Sequence, residues 1–307
     1  MLAHIDEAVY GVRRRRTFWE VLTSEKYFKW TLIIPLSVVL AVFMLYPMFY
    51  CLYYSAQEYF IAQPTSFVGW ENYRTVLRDP AFWNALGNTF HILVVCIAAE
   101  LILGMGIALL LNREFKGQNT VRGLCLLPLL VSPMAMSLAW NLLLQFDVGL
   151  VNQTLYAIGI PQIHWFAPGW AIYTIALITV WNWFPFSVFV LLAGLKGLPR
   201  DSFEAARVDS ASAWYTFRRL TLPMLSPLIM IIVLLRTMWL IRLFDAIYGT
   251  ARYMSETETL DFLVFRIAFN YFDIGVGSTL ALVSLFLTII ICAILFRQLM
   301  IALGATK

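Results

Sequence analysis

The sequence predicts an all-α, polytopic membrane protein with six transmembrane helices. Composition is the first reason: 61% of residues are hydrophobic and the mean hydropathy is +0.76, far from the balance of a soluble domain. Charge placement is the second. Runs free of Asp, Glu, Lys and Arg cover Trp30–Gln57, Pro80–Ala99, Gly123–Phe146, Val148–Leu195, Leu220–Leu235 and Ile274–Phe296. Such runs approach or exceed the ~20 residues that a helix needs to cross a bilayer. They are too long for the alternating strands of a barrel.

Residues 1–29 read as a cytoplasmic N-terminal segment with six Lys/Arg, four of them contiguous at Arg13–Arg16. Residues 30–57 form a transmembrane helix, too long for a signal-peptide core and therefore retained. Residues 58–81 are an outer loop. The second span continues past Glu100 to Asn112, and its Gly104, Gly106 and Ala108 permit close helix contact. The third span lies within Gly123–Phe146. The 48-residue run Val148–Leu195 exceeds one span. Gly159-Ile160-Pro161 and Pro168-Gly169 mark a loop inside it, so the fourth span starts near Trp170. Two further spans occupy the last two runs.

Basic residues set the orientation. Sixteen Lys/Arg fall in the two terminal segments and in loops 112–122 and 194–219, against four in the other three loops. Both termini are expected in the cytoplasm. Trp30, Trp83, Trp165 and Trp170 sit near span ends, where interfacial anchors belong. Cys51, Cys96, Cys125 and Cys292 stand singly in apolar segments, which suits helix packing and gives no metal or disulfide spacing. The net charge of +4 fits orientation and contact with anionic lipid; it does not indicate nucleic-acid binding.

Several chemistries lack their motifs. The chain has no Walker A sequence and no Gly-Lys dipeptide, so it has no such cradle for ATP phosphates. It has no G-x-S-x-G or H-E-x-x-H, and its histidines are His4, His91 and His164. Hydrolase and metalloenzyme readings are unsupported, and no metal site or cofactor is expected on this chain. Energy must come from another chain or from an ion gradient. Glu100, Arg236, Arg242 and Asp245 are intramembrane charges that a gradient-driven secondary transporter would use. Mutual pairing near the membrane edges, Arg242 with Asp245 for example, is the structural reading of the same residues. A non-transporting scaffold is a third possibility.

Two stretches carry more. In the fourth span, Pro185 predicts a kink. Thr179, Asn182, Trp183 and Phe186 share one face by helical spacing. Rings stack on sugar C–H faces and amides bond hydroxyls, although packing toward lipid explains an aromatic face as well. Residues 198–223, LPRDSFEAARVDSASAWYTFRRLTLP, form a polar island. A helix is expected to enter at Leu198-Pro199, with Asp201 and Glu204 near its positive end. Ser212 can cap a second short helix through Phe217 that stops before Pro223. A helix-turn-helix on a membrane surface suits docking into another protein; linking two spans is the plainer role.

This island resembles the EAA signature of the membrane subunits of bacterial ABC importers, in Glu204, Ala205, Ala206, Asp209, Ala211, Trp214, Phe217, Leu222 and Pro223. Ser210 stands where that family has Gly, which would allow positive φ. The wider chain resembles sugar permeases of the maltose-transporter type. Phe67-Val68-Gly69-Trp70-Glu71-Asn72-Tyr73 looks like the segment that precedes their core, which implies a permease core of five spans over residues 82–300 and an accessory transmembrane helix over residues 30–57. Thr257-Glu258-Thr259-Leu260 and Tyr271 to Gly275 look like the stretch after their fifth span. Here Thr250-Ala251-Arg252-Tyr253-Met254 replaces the usual Thr-Gly-Gly-Pro.

The resemblance implies a type I ABC importer permease fold and a multi-pass place in the bacterial inner membrane. It implies import of a sugar or sugar-like solute, and coupling to an ATPase through Glu204, Ala205, Ala206, Asp209, Ser210, Leu222 and Pro223. It implies a substrate path along Leu129, Pro133, Thr179, Asn182, Trp183, Phe186, Arg236, Leu240 and Leu243. Arg236 would meet an anionic group of the solute or pair with Glu100. The ending Ala302-Leu303-Gly304-Ala305-Thr306-Lys307 lacks the Gly-Ala-Val-Lys-Gly of the second permease type, so the first type is implied. The implied partners are a second homologous permease, two ATPase subunits that carry ATP and Mg, and a periplasmic solute-binding protein.

Overall fold

The computed structural model describes residues 25–250 and 255–303. The basic cluster Arg13–Arg16, residues 251–254 and the ending 304–307 lie outside the described residues. The chain divides into two compact units, Met1–Tyr53 and Tyr54–Lys307. The first unit holds most of α1 (Glu25–Ser55), which runs through Pro35 and Pro47.

The second unit opens with structure that hydropathy does not reveal. Residues 57–78 contain a small antiparallel hairpin, β1 (Gln57–Glu58) with β2 (Ser66–Phe67), and a short helix, α2 (Glu71–Arg78). Gly69 takes φ +60°, so the N–H groups of Val68 and Gly69 both reach the Ala56 carbonyl, at 2.9 and 3.1 Å. Asn72 donates to the carbonyls of Ser55 and Gln57 at 2.9 and 2.8 Å.

The second span is α3 (Pro80–Leu111). Asp79 caps it, accepting from the Ala81 N–H at 2.8 Å, and Pro80 sits in the first turn, where its missing N–H costs nothing. The third segment departs from expectation. It is two helices, α4 (Gln118–Leu130) and α5 (Pro133–Leu143), meeting at 96°. Pro133 lacks a donor and disfavours helical backbone at the residue before it. Val131 and Ser132 accordingly adopt ψ 132°.

A short helix, α6 (Leu150–Ala157), occupies part of the predicted loop. The fourth span, α7 (Ala171–Gly197), begins right after Trp170 and continues through Pro185 without a break. Next come α8 (Arg200–Val208), α9 (Ala213–Thr216), a π-turn at Phe217–Thr221 and α10 (Leu222–Ile241). The predicted stop before Pro223 is therefore corrected. The Leu222 N–H reaches back to the Phe217 carbonyl across the π-turn, and Pro223 falls in the first turn of α10. The chain ends with α11 (Asp245–Thr250), α12 (Leu260–Phe265), a second π-turn at Arg266–Asn270 and α13 (Ile274–Ala302). Among the described residues, five helices are long and apolar enough to cross a membrane, or six with the bent pair taken as one.

The core forms where α3 and α7 meet, around Ile92, Cys96, Ile175 and Val180 above and Ala108, Val188 and Leu191 below. All four cysteines are free thiols, and the buried Cys96 Sγ points to the Ala176 carbonyl at 3.8 Å. Gly104 permits the approach: a Cβ there would lie 2.7 Å from the Ser187 Cβ. Gly106, one of the predicted contact residues, has nothing within 4 Å of such a Cβ. Gly104→Ala is expected to lower stability by ~1–3 kcal/mol, as overpacking does, while Gly106→Ala has no such effect. Thermal denaturation of the two detergent-purified variants checks the contrast.

Candidate functional site

A cleft of about 1050 Å3 lies between α5, α7, α10, α12 and α13. Of the predicted path residues, Pro133, Thr179, Asn182, Trp183, Arg236, Leu240 and Leu243 line it. Leu129 and Phe186 do not. Leu129 is half-buried in α4, and Phe186 packs beside the lower core and edge-on to Trp239, with centroids 5.8 Å apart.

Several polar residues of the cleft already have a structural task, whereas Ser284 Oγ is buried there without a hydrogen-bond partner among the described residues. Asn182 is buried, and its Nδ2 donates to the Pro128 carbonyl at 2.6 Å and, more weakly, to Val131 at 3.5 Å. The Pro128 carbonyl lies in the last turn of α4, where it also takes the Val131 N–H at 3.3 Å, and Val131 sits at the break itself. Thr179 bonds the Ile175 carbonyl of its own helix at 2.8 Å. On the other side of the break, Ser137 and Asn141 of α5 donate to Asp245 and Gly249 of α11, each at 3.0 Å. Sequence reasoning missed this second tie. The i, i+4 spacing of the two polar residues on an apolar helix was its only visible trace.

Arg236 is 1% exposed and Glu100 0%. They form a bidentate pair from α10 to α3, with Nε and Nη2 of Arg236 each 2.6 Å from a Glu100 oxygen. The guanidinium carbon lies 4.6 Å from the Trp183 ring centre and 5.9 Å from that of Trp239. The two indoles stand 4.2 Å apart. Arginine over an aromatic face adds a favourable cation–π term to the ion pair. The expected Arg242–Asp245 pair is corrected. Arg242 is 75% exposed at its side chain and faces Asp261 of α12 at 3.9 Å, a weak surface contact. It bends that way because α10 ends at Ile241 and the chain turns before Asp245 starts α11. Burial pushes the Asp261 carboxyl above its usual range, and Arg242 pulls it partly back.

The segment Thr257–Leu260 is buried and tied to the N-terminal half of α3. Asn88 donates to the Glu258 carbonyl at 3.0 Å, and the Leu260 N–H to Thr89 Oγ1 at 3.0 Å. Thr259 donates to the Leu243 carbonyl at 2.7 Å. Glu258 receives two bonds from Arg266, at 2.6 and 2.8 Å. Trp165 is likewise an internal tie: its indole N–H donates to Asn152 at 3.1 Å. Trp30, Trp83 and Trp170 are exposed, and the Trp83 indole N–H donates to the Leu77 carbonyl at 2.9 Å.

At the polar island, α8 presents Glu204, Ala205, Val208 and Asp209 to solvent. The turn after it is a Schellman cap: Ser210 N–H bonds Arg207 O at 3.0 Å and Ala211 N–H bonds Ala206 O at 2.9 Å. Ser210 is the left-handed residue at φ +54°, so serine keeps the turn that glycine would favour. Ser212 accepts from the Tyr215 N–H at 3.2 Å and caps α9 as expected. A groove of about 700 Å3 follows this turn, lined by Ala205, Ala206, Asp209, Tyr215 and Arg219. Leu222 and Pro223 lie exposed at the start of α10. Among the described residues no cluster of His, Cys, Asp or Glu suits a metal.

The family model described as "binding-protein-dependent transport system inner membrane component" matches residues 100–302. The trehalose/maltose transport system permease protein of Thermococcus litoralis is 33% identical over 263 residues, covering 84% of this chain and 88% of that protein. The sulfoquinovosyl glycerol transport system permease protein of Agrobacterium fabrum is 32% identical over 278 residues, covering 87% and 88%. A solved bacterial ABC transporter "involved in the import of the acidic polysaccharide alginate" contains a chain similar in fold, with TM-score 0.79 and 20% identity, covering 94% and 99%.

Removing one partner of a buried ion pair strands the other charge and typically costs ~3–5 kcal/mol. Arg236→Gln alone is therefore expected to reduce the yield of folded protein sharply. Adding Glu100→Gln should restore it, because two amides can bond each other without net charge. Size-exclusion profiles of the two single variants and the double variant test this coupling.

Proposed function

The chain belongs to the family of binding-protein-dependent transport system inner membrane components, and on that footing we propose that it imports a sugar or sugar-like solute. It is a multi-pass permease subunit of an ABC importer, and ATP hydrolysis belongs to a separate subunit. We place it with the first permease type, beside a second homologous permease, two ATPase subunits holding ATP and Mg, and one periplasmic solute-binding protein. The trehalose, maltose and sulfoquinovosyl glycerol permeases among its relatives support the solute class.

The observation that carries the coupling role is the exposure of α8 and the turn after it. Val208, Trp214 and Tyr215 are 85%, 68% and 57% exposed, although this island is the most polar stretch of the core. Apolar side chains held out on a short capped helix suit a protein cleft. In this reading Glu204, Ala205, Ala206, Asp209, Ser210, Leu222 and Pro223 form the seat for one ATPase. Closure of the ATPase pair would carry α8 with it. The π-turn joins the α9 end of that seat to α10 without a gap, so the movement would reach Arg236, Leu240 and Leu243 as a tilt of one continuous helix. Leu129, Pro133, Thr179, Asn182, Trp183 and Phe186 would make the facing wall of the path. The gradient-driven alternative needs a titratable group free to change partners. Glu100 is instead held by two bonds to Arg236.

Two experiments bear on this reading. Glu204→Lys reverses the charge at the seat. It is expected to lower ATP-dependent uptake more than about tenfold, the effect of ~1.4 kcal/mol at the contact, or to release the ATPase from membranes. Normal uptake with a normally bound ATPase would reject the assignment. Orientation is read by cysteine labelling. Ser212→Cys should react with impermeant thiol reagents from the cytoplasmic side only, and Gln162→Cys from the periplasmic side only. The reverse pattern would turn the whole topology over.

A further inference from the structure

The geometry points to a neutral solute, held against this chain by the free corner of Arg236 and by the indoles of Trp183 and Trp239. This deepens the importer reading and rests on it. A lone arginine in a transport path would ordinarily suggest a carboxylate, sulfonate or phosphate, since guanidinium matches those groups in bidentate fashion. Here that fork is already occupied. Nε and Nη2 both bind Glu100, so the edge that would grip an anion faces into the protein. Nη1 donates to no described residue. Arg236, although only 1% exposed, is one of the residues that line the cleft.

What the cleft receives is thus an N–H donor from a charge already neutralised. Beside it stand two indoles: Trp183, partly buried between Arg236 and Trp239, and Trp239, which is 45% exposed. A donor next to an aromatic face matches a pyranose, which offers hydroxyl acceptors on its rim and C–H groups on its face. The remaining charges argue the same way. Arg242, Asp245 and Asp261 also line the cleft. With Glu100 behind Arg236, two cations answer three carboxylates, and that balance disfavours a second anion.

The test reads the permease apart from its soluble binding protein, which would impose a selectivity of its own. The assembled transporter without that protein is placed in nanodiscs. Saturation-transfer NMR then compares two probes, trehalose and trehalose 6-phosphate. Wild type should favour trehalose by at least about tenfold, a difference of ~1.4 kcal/mol. Glu100→Gln frees the fork and the positive charge, and should bring trehalose 6-phosphate to equal or greater transfer. Arg236→Lys keeps the ion pair and the assembly but removes Nη1, and should weaken trehalose several-fold.

Equal transfer to both probes in wild type would overturn the proposal, and so would trehalose transfer unchanged in Arg236→Lys. Should Glu100→Gln fail to assemble, the double variant Glu100→Gln with Arg236→Gln serves in its place. It carries no net charge at the pair and should still reject the phosphate; binding of the phosphate there would also overturn the proposal. No trehalose transfer in wild type would reject this site while leaving the importer reading standing. Absence of ATP-dependent uptake of any sugar by the complete system would remove both.

Discussion

A peptide group inside a bilayer has no water to bond, so every interruption of a helix must be answered from within the protein. Several of the polar side chains in this core are spent on that requirement. At the break between α4 and α5, Asn182 takes up the Pro128 and Val131 carbonyls. The end of α10 exposes the Leu243 carbonyl, which Thr259 takes up. Asn152 gathers Gln145, Phe146 and Ile163 under α6 with its one amide. The cleft exists because the helices around it are broken, and the breaks persist because these amides and hydroxyls close them. Path and scaffold are therefore made of the same residues.

Charge obeys a similar rule. Glu100 and Arg236 join α3 to α10 deep in the core, so the span that follows the coupling segment is pinned to its neighbour at one fixed depth. A helix pinned in this way can pivot but cannot easily slide. Rigid-body tilting about a packed contact is the motion such an arrangement permits. Gly104 and Ser187 bring α3 and α7 together close to the same level, which gives the pivot a firm backing.

Much of this was legible in the sequence. Charge-free runs located α3, α7, α10 and α13, because hydropathy reports which segments avoid water. Gly-Pro punctuation placed the start of α7 near Trp170, one residue before its first helical residue. Hydropathy does not report direction, however. The run Gly123–Phe146 is apolar whether straight or bent, so the right angle at Val131–Pro133 was invisible except as a proline. The hairpin at Gln57–Phe67 and helix α6 sit in segments too short for periodicity to register. The pairing of Arg242 with Asp261 rather than Asp245 depends on how the chain turns after Ile241, which is a tertiary fact. Helical spacing grouped Thr179, Asn182, Trp183 and Phe186 on one face. It could not say that Asn182 would be engaged by a carbonyl, or that Phe186 would turn to the packing beside the cleft.

The π-turn at Phe217–Thr221 has a consequence for how this chain can change length. A π-turn holds one residue more than an α-turn between the same two flanks. Loss of any one of its five residues would let the turn close as ordinary α-helix, with both flanks still facing as before. Elsewhere in the span, a one-residue deletion rotates everything beyond it by ~100°. That rotation would swing Arg236 away from Glu100. Together with its counterpart at Arg266–Asn270, this turn marks where the described chain can drift by a residue over evolutionary time while its buried partners stay in register.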